Sequence, residues 1–401
     1  MTTENFQSVI DWLIDGARST PVPNQFLAEM CERLVRAGMP LWRVGIFVRT
    51  LHPNVFGRNF IWRPGEEVVV GSADFDIQAT PEFINSPLAI VFREGREVSY
   101  RLDDPESARF PFFDYMRAEG VTGYIALPLL FIDGSTHASS WTTKQPGGFS
   151  DAQLEALRTL ARPLARLAEA IGQRRIATTL LETYVGARAG EKILAGQIRR
   201  GHTETMRAVI WLSDLRGFTK LSDRLSSESV VEILNLYFEC QVPAIVDHGG
   251  EVLKFMGDGL LAVFPVGEND ADVADVCGRV LAAAHTFREN VDAMRYESAA
   301  GIGERFRFGL ALHVGRVLYG NIGGGNRLDF TCIGPAVNMA ARIEKIASRL
   351  NRTILASTEF VRHLDAGWTD LGEFAVAGFS APERVYGLLD EISAAQNPVQ
   401  H

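Results

Sequence analysis

Cysteine is scarce in this chain: four among 401 residues. Cys31, Cys240, Cys277 and Cys332 stand far apart and form no CxxC pair. That spacing argues against a zinc site and against a disulfide framework, and fits a reducing cytosol. Basic runs are equally short. The densest, Arg199-Arg200 near Lys192, is no basic stripe, and the net charge is −9. No nucleic-acid partner is therefore expected. Long apolar runs are missing too. The stretch from Tyr124 to Ile132 is broken by Pro128 and reaches about half the length of a membrane span. Residues 1–15 carry Glu4, Asp11 and Asp15 and no basic segment, unlike a signal peptide. The expectation is a soluble, cytoplasmic protein with no membrane span.

What is present is ordinary globular composition, 46% hydrophobic and 22% charged, in a chain long enough for two domains. Three zones emerge. Residues 1–170 mix helix and strand. Phe26, Met30, Leu34 and Val35 recur near helical spacing, and Val44–Val48 and Tyr124–Ile132 read as strands. Trp141–Gly148 reads as a turn-rich loop. Ser150 then caps a helix whose Leu154, Leu157, Leu160, Leu164, Leu167 and Ile171 step by three or four residues. Residues 171–205 form a glycine-punctuated helical connector without sustained heptads. Residues 206–391 form the third zone.

In that zone Arg207–Ser213 reads as a strand. A helix carrying Val230, Ile233, Leu234, Tyr237 and Phe238 on one face ends at His248-Gly249-Gly250. Val252–Phe255 and Leu260–Phe264 flank Met256-Gly257-Asp258-Gly259 as a hairpin, with Asp-Gly at the turn. A helix over Ala271–Phe287 follows. Phe306, Phe308, Leu310 and Leu312 alternate as a strand, Leu328–Ile333 is another, and Pro335 opens a helix over Ala336–Ala347. This order indicates an α+β sheet with helices on its faces.

Two carboxylates stand where chemistry would use them. Asp214 ends an apolar strand, and Asp258 sits at the hairpin tip. Brought together they would repel unless cations lay between them, and magnesium favours one or two carboxylates plus substrate phosphates. Taken singly, each has a plain structural role, Asp214 as a helix cap and Asp258 in a turn.

Three strings change that balance: Ser213-Asp214-Leu215-Arg216-Gly217-Phe218-Thr219, Lys254-Phe255-Met256-Gly257-Asp258-Gly259, and the run from Asp329 to Arg342. In order and spacing they resemble the class III adenylate and guanylate cyclase domain. The resemblance implies a ferredoxin-like catalytic fold working as a head-to-tail homodimer with shared interfacial sites. Asp214 and Asp258, with the Leu215 carbonyl, would hold two Mg²⁺ or Mn²⁺ ions per site. Gly217 and Phe218 would cradle phosphate through backbone N–H groups at a helix start, and Arg316 would contact phosphates. Asn338 and Arg342, four residues apart on one helix, would come from the partner subunit. Asn338 would orient the ribose and Arg342 would neutralise the α-phosphate. The implied reaction is attack of the ribose 3′-hydroxyl on the α-phosphorus, with pyrophosphate leaving.

Base choice in the family rests on two positions. Lys254 matches the lysine that adenylate cyclases direct at adenine, and Thr331 matches the second position. Both agree on ATP as substrate and cyclic AMP as product. The alternatives are a guanylate or relaxed-specificity cyclase, and a non-catalytic nucleotide-binding or dimerisation module. Two positions depart from the family pattern. Pro335 replaces an aspartate, and the segment Val376–Ser380 has no cation near Phe379, where many adenylate cyclases place a triphosphate-binding lysine. Arg384 is a candidate substitute.

Residues 1–170 resemble a GAF-type sensory domain in element order, in the strand Tyr124–Leu129 and in the helix start Phe149–Leu154. The resemblance implies regulation of the cyclase by a small molecule. Trp42, Phe47, Phe60, Trp62, Phe110, Phe112, Phe113 and Tyr115 are candidates for a ligand pocket or for ordinary core. His52 and His137 read as loop histidines of the usual exposed kind.

Overall fold

The structure is a computed structural model that describes residues 3–19, 22–297, 303–304, 306–325, 327–365, 367–375 and 382–389. The chain divides into two compact units, residues 1–180 and 181–401.

In the first unit, helices α1 (Thr3–Ile14) and α2 (Pro23–Arg36) precede three strands, β1 (Arg43–Arg49), β2 (Gly57–Trp62) and β3 (Val69–Ala73). Short helices α3 (Pro81–Ile84) and α4 (Pro87–Glu94) follow, then β4 (Val98–Arg101), α5 (Asp114–Ala118), β5 (Gly123–Leu130) and β6 (Thr136–Thr143). The strands form one antiparallel sheet in the order β3-β2-β1-β6-β5-β4. Strand alternation separates its faces. Val44, Ile46, Ile125, Leu127 and Trp141 pack with α1, α2 and the long helix α6 (Asp151–Val185). Tyr124, Ala126 and Ala138 pack instead with Phe110, Phe113 and Met116.

Three local readings change. Trp141, expected in a loop, is buried in β6, because its ring completes the helix-facing core. His137 is also in β6 and buried, where it accepts a hydrogen bond from the Arg49 backbone N–H at 3.0 Å. The helix after Ser150 runs on through residue 171 to Val185. Its start is a reciprocal cap: Ser150 Oγ accepts from the Gln153 N–H, and Gln153 Oε1 accepts from the Ser150 N–H. Of the aromatics, Trp62, Phe110 and Phe113 are core.

The second unit begins with the end of α6 and with α7 (Ala187–Leu194). Then come β7 (Thr203–Leu215), α8 (Phe218–Ser222), α9 (Ser227–Asp247), β8 (Glu251–Met256), β9 (Gly259–Pro265) and α10 (Asp270–Ala293). A two-residue pair, β10 (Tyr296–Glu297) and β11 (Gly303–Glu304), precedes β12 (Phe308–Gly324), β13 (Arg327–Ile333) and α11 (Pro335–Leu350). Finally come β14 (Ile354–Ser357), α12 (Thr358–Val361), β15 (Trp368–Phe374) and β16 (Glu383–Leu388). The run β7–α9–β8–β9–α10–β12 is a βαββαβ unit with spatial order β12-β7-β9-β8, the ferredoxin-like arrangement. β14, β16 and β15 extend the sheet beyond β12, and β13 folds back on the far half of β12.

Alternation along β7 fixes what lies on each face. Val209 and Trp211 pack with Ile233, Tyr237, Val280 and Phe287 of α9 and α10. Ala208, Ile210 and Leu212 pack with Ala189 of α7 and with Ala336 and Ala340 of α11. Among the described helices, α9 is the one long and apolar enough to cross a bilayer by length and composition. Its Ile233, Tyr237 and Ile245 instead pack on the sheet, as befits a core helix.

Candidate active site

Three strands converge on Asp214. At the end of β7 it stands opposite Gly259 of β9 and Gly309 of β12. Both neighbours are glycines, which leaves space beside the carboxylate. A Cβ at Gly259 would lie 2.9 Å from the Ser213 carbonyl oxygen and 3.3 Å from Asp214 Oδ1. Asp258 arrives through the tight turn joining β8 to β9. Met256 pairs with Gly259, so the two turn residues are Gly257 and Asp258. Gly257 has φ +67°, the positive value favoured at the first position of such a turn. The expected Asp-Gly turn is thus shifted by one residue, which puts Asp258 itself in the loop. The Leu215 N–H donates to the Asp258 carbonyl oxygen at 3.2 Å and ties the two loci together.

This proximity has an electrostatic cost. Burial first, then the charge of Asp258, then that of Glu344 push the Asp214 carboxyl up to about 7. Burial also raises Asp258. Half-buried acids this close call for positive charge. Beneath them Ser213 Oγ donates to Gln241 Oε1 at 2.7 Å within a fully buried layer that includes Tyr237. The donor set fits divalent cations that share their coordination with substrate phosphates: two carboxylates and a strand-end carbonyl. Among the described residues no group of three or more His, Cys, Asp or Glu gathers as a complete protein-only metal site.

Gly217 is the N-cap of α8, with φ +74° and no atom within 4 Å of where a Cβ would stand. The backbone N–H groups at this helix start have no side-chain cap. Lys254, on β8, places Nζ 3.0 Å from Asp329 Oδ2, and this contact holds Asp329 below the usual carboxylate range. Thr331 lies two residues along β13, hence on the same strand face as Asp329. Sequence reasoning missed Asp329 as a site residue, although its i,i+2 relation to Thr331 was available. It also missed Glu344 and Arg216. A Cβ at Gly309 would lie 3.0 Å from Glu344 Oε1 and 3.4 Å from Arg216 Nη2, so these side chains flank the Asp214 locus.

Asn338 and Arg342 share α11, whose buried face is Met339, Ala340, Ile343, Ile346 and Ala347. Asn338 is exposed and Arg342 half-buried. Among the described residues, neither side chain forms a hydrogen bond or ion pair, with Asp214, Asp258 and Glu344 included. Arg316 requires a correction. β12 runs antiparallel to β7, and Arg316 stands opposite Arg207, seven positions beyond Gly309. At about 3.3 Å per residue it is roughly 23 Å along the strand from the aspartates of its own chain. It pairs with Glu268 at 2.9 Å on the surface. Arg384 is engaged by Asp370 at 3.3 Å and Glu373 at 2.9 Å. Val376–Ser380, with Phe379, lies outside the described residues.

Residues 202–389 match the family described as the adenylate and guanylate cyclase catalytic domain. The C-terminal unit is a class III cyclase domain. An adenylate cyclase of Anabaena cylindrica is 32% identical over 171 residues, covering 42% of this chain and 32% of that protein. The terminal-differentiation-specific adenylate cyclase of Dictyostelium discoideum is 30% identical over 194 residues, 45% of this chain and 8% of that protein. The chain thus matches a third or less of these relatives' lengths. Among solved structures, the adenylyl cyclase CyaB from P. aeruginosa is similar at 28% identity and TM-score 0.39, over 47% of this chain and 96% of that one. Cyclase domains of this family use divalent metals, bind nucleotides and work as dimers, and Asp214 and Asp258 are two carboxylates that this cyclase domain brings together.

Proposed function

We propose that the chain is an adenylate cyclase that converts ATP to 3′,5′-cyclic AMP and pyrophosphate as a homodimer. The observation that carries this reading is the Asp214–Asp258 pair, two acids forced together at the meeting of three strands. Divalent cations held by this pair and the Leu215 carbonyl would supply positive charge to the triphosphate and make the ribose 3′-hydroxyl more acidic. The uncapped N–H groups at Gly217 and Phe218 would bind phosphate oxygens. Lys254 would donate to a ring nitrogen of adenine, and its pairing with Asp329 pre-positions the ammonium. Thr331, beside them, can donate or accept. Asn338 and Arg342 of the partner subunit would orient the ribose and neutralise the α-phosphate. Among the described residues neither side chain is held by a hydrogen bond or ion pair, which suits that use. Arg316 has no part in the site of its own chain.

In this reading the N-terminal unit is a GAF-like regulator that responds to a small molecule, and the protein works in the cytoplasm. A variant lacking residues 1–180 that kept the rate and every response of the full chain would remove the regulatory claim. The base assignment is tested by giving purified full-length protein ATP or GTP with Mg²⁺ or Mn²⁺ and separating the products. Cyclic AMP should predominate from an equimolar mixture. Predominant cyclic GMP would overturn the assignment.

A further inference from the structure

The N-terminal unit contains a buried charge that nothing balances. Arg43, at the start of β1, is 8% exposed, and its Nη1 has no hydrogen-bond partner. Two hydroxyls on the same sheet face are also buried, Tyr124 Oη and Ser140 Oγ; they lie close enough to act on each other and neither has a hydrogen bond of ordinary length. Register explains why they meet. Thr142 of β6 stands opposite both Arg43 and Tyr124, and Ser140, two residues away, points to the same side.

The surroundings add positive charge. Arg63, just beyond the end of β2, lies close enough to act on Arg43 as a like charge. The Arg63 guanidinium is 5.1 Å from the centre of the Trp42 ring, and Lys144 Nζ is 4.7 Å from it. Among the described residues no carboxylate forms an ion pair with Arg43, Arg63 or Lys144. The titratable groups that act on Arg43 are the phenols Tyr115 and Tyr124 and the guanidinium of Arg63, with no carboxylate among them.

A buried ionised group without a counter-charge is strongly unfavourable. Lysine or histidine would escape by losing a proton, but arginine does not do so in proteins. Water could satisfy the vacant hydrogen bonds and would leave the charge in place. The geometry points to a site for a doubly charged oxyanion such as phosphate, free or as the end of a small molecule, bound by Arg43 with Tyr124 and Ser140 and flanked by Arg63 and Lys144. A phosphate suits the donors, since the guanidinium fork matches two of its oxygens and the hydroxyls can meet others. It also suits the charge, because a single carboxylate would leave most of three positive charges uncompensated.

The test is equilibrium dialysis of the full chain against radiolabelled orthophosphate, with chloride at matched ionic strength as background. Wild type should show a saturable phosphate site that sulfate displaces. Arg43→Met should lack it, and Arg63→Gln should bind about ten-fold more weakly, as expected when a charged donor is lost. Phosphate held by the cyclase domain is retained in all three proteins and so cancels in the comparison. Should Arg43→Met fail to fold by circular dichroism, Arg63→Gln, altered at a partly exposed position, decides. Equal phosphate binding in wild type and the folded variants, or none in wild type, would overturn the proposal.

Discussion

At the scale of residues, the account depends on a few polar side chains held by apolar strands. Asp214→Ala should remove cyclic nucleotide formation while circular dichroism and melting stay close to wild type, because the substitution relieves repulsion between buried acids. Unchanged turnover would separate Asp214 from the chemistry. Lys254→Glu should shift preference from ATP toward GTP, read as the ratio of kcat/KM values, since a donor becomes an acceptor beside Asp329. An unchanged ratio would remove Lys254 from base selection. The aspartates, Lys254 and Thr331 stand out in the sequence because their local strings are distinctive, and the structure puts Asp214 beside Asp258 and Lys254 beside Asp329. Asp329, Glu344 and Arg216 do not stand out, since their importance comes from strand pairing and helix packing across more than seventy residues. Arg316 shows the same limit from the other side. A motif gives order along the chain, whereas register determines where each residue stands.

Elements set how closely those residues approach. The turn after β8 holds Asp258 through Gly257 and Gly259, and a methyl at Gly259 would press on the Ser213 carbonyl oxygen, so Gly259→Ala should push the end of β7 with Asp214 away from β9. A displacement of about an ångström can cost about 10²-fold in rate, and a near-normal kcat would show that the strand ends tolerate the shift. The sheet also buries His313, whose Nδ1 lies 2.8 Å from Ser357 Oγ. Burial pushes this imidazole down to about 4. The unfolded chain therefore binds more protons than the folded one between about pH 6.5 and 4, and stability falls as pH is lowered through that window. The difference amounts to roughly 3 kcal/mol at its full extent. His313→Gln should flatten the acid side of the stability profile of the cyclase domain; an unaltered profile would contradict the assignment. Strand and helix periodicity made most of these elements readable from sequence. Trp141 escaped because the prolines and glycines just after it suggested a loop, while its own burial kept it in the sheet.

For the whole molecule, the ferredoxin-like core leaves the side chains of Asn338 and Arg342 without a hydrogen bond or ion pair among the described residues, which suits the proposed shared site. Mixing inactive Asp214→Ala with inactive Arg342→Ala should restore part of the activity, because one composite site per heterodimer would be intact. No recovery, with heterodimers demonstrated, would argue for sites complete within one chain. The sequence reads as three zones divided near residues 170 and 205, with helix expected on both sides of the first boundary; the chain forms two units divided after residue 180, and one helix, Asp151–Val185, runs across that boundary. The helix carries Gly172 without a break. The most direct test of the central claim is ATP turnover with and without divalent cation, in wild type and Asp258→Ala. Wild type with Mg²⁺ or Mn²⁺ should yield cyclic AMP and pyrophosphate in equal amounts, and neither should form after chelation or in Asp258→Ala. Turnover that survived both would contradict that claim.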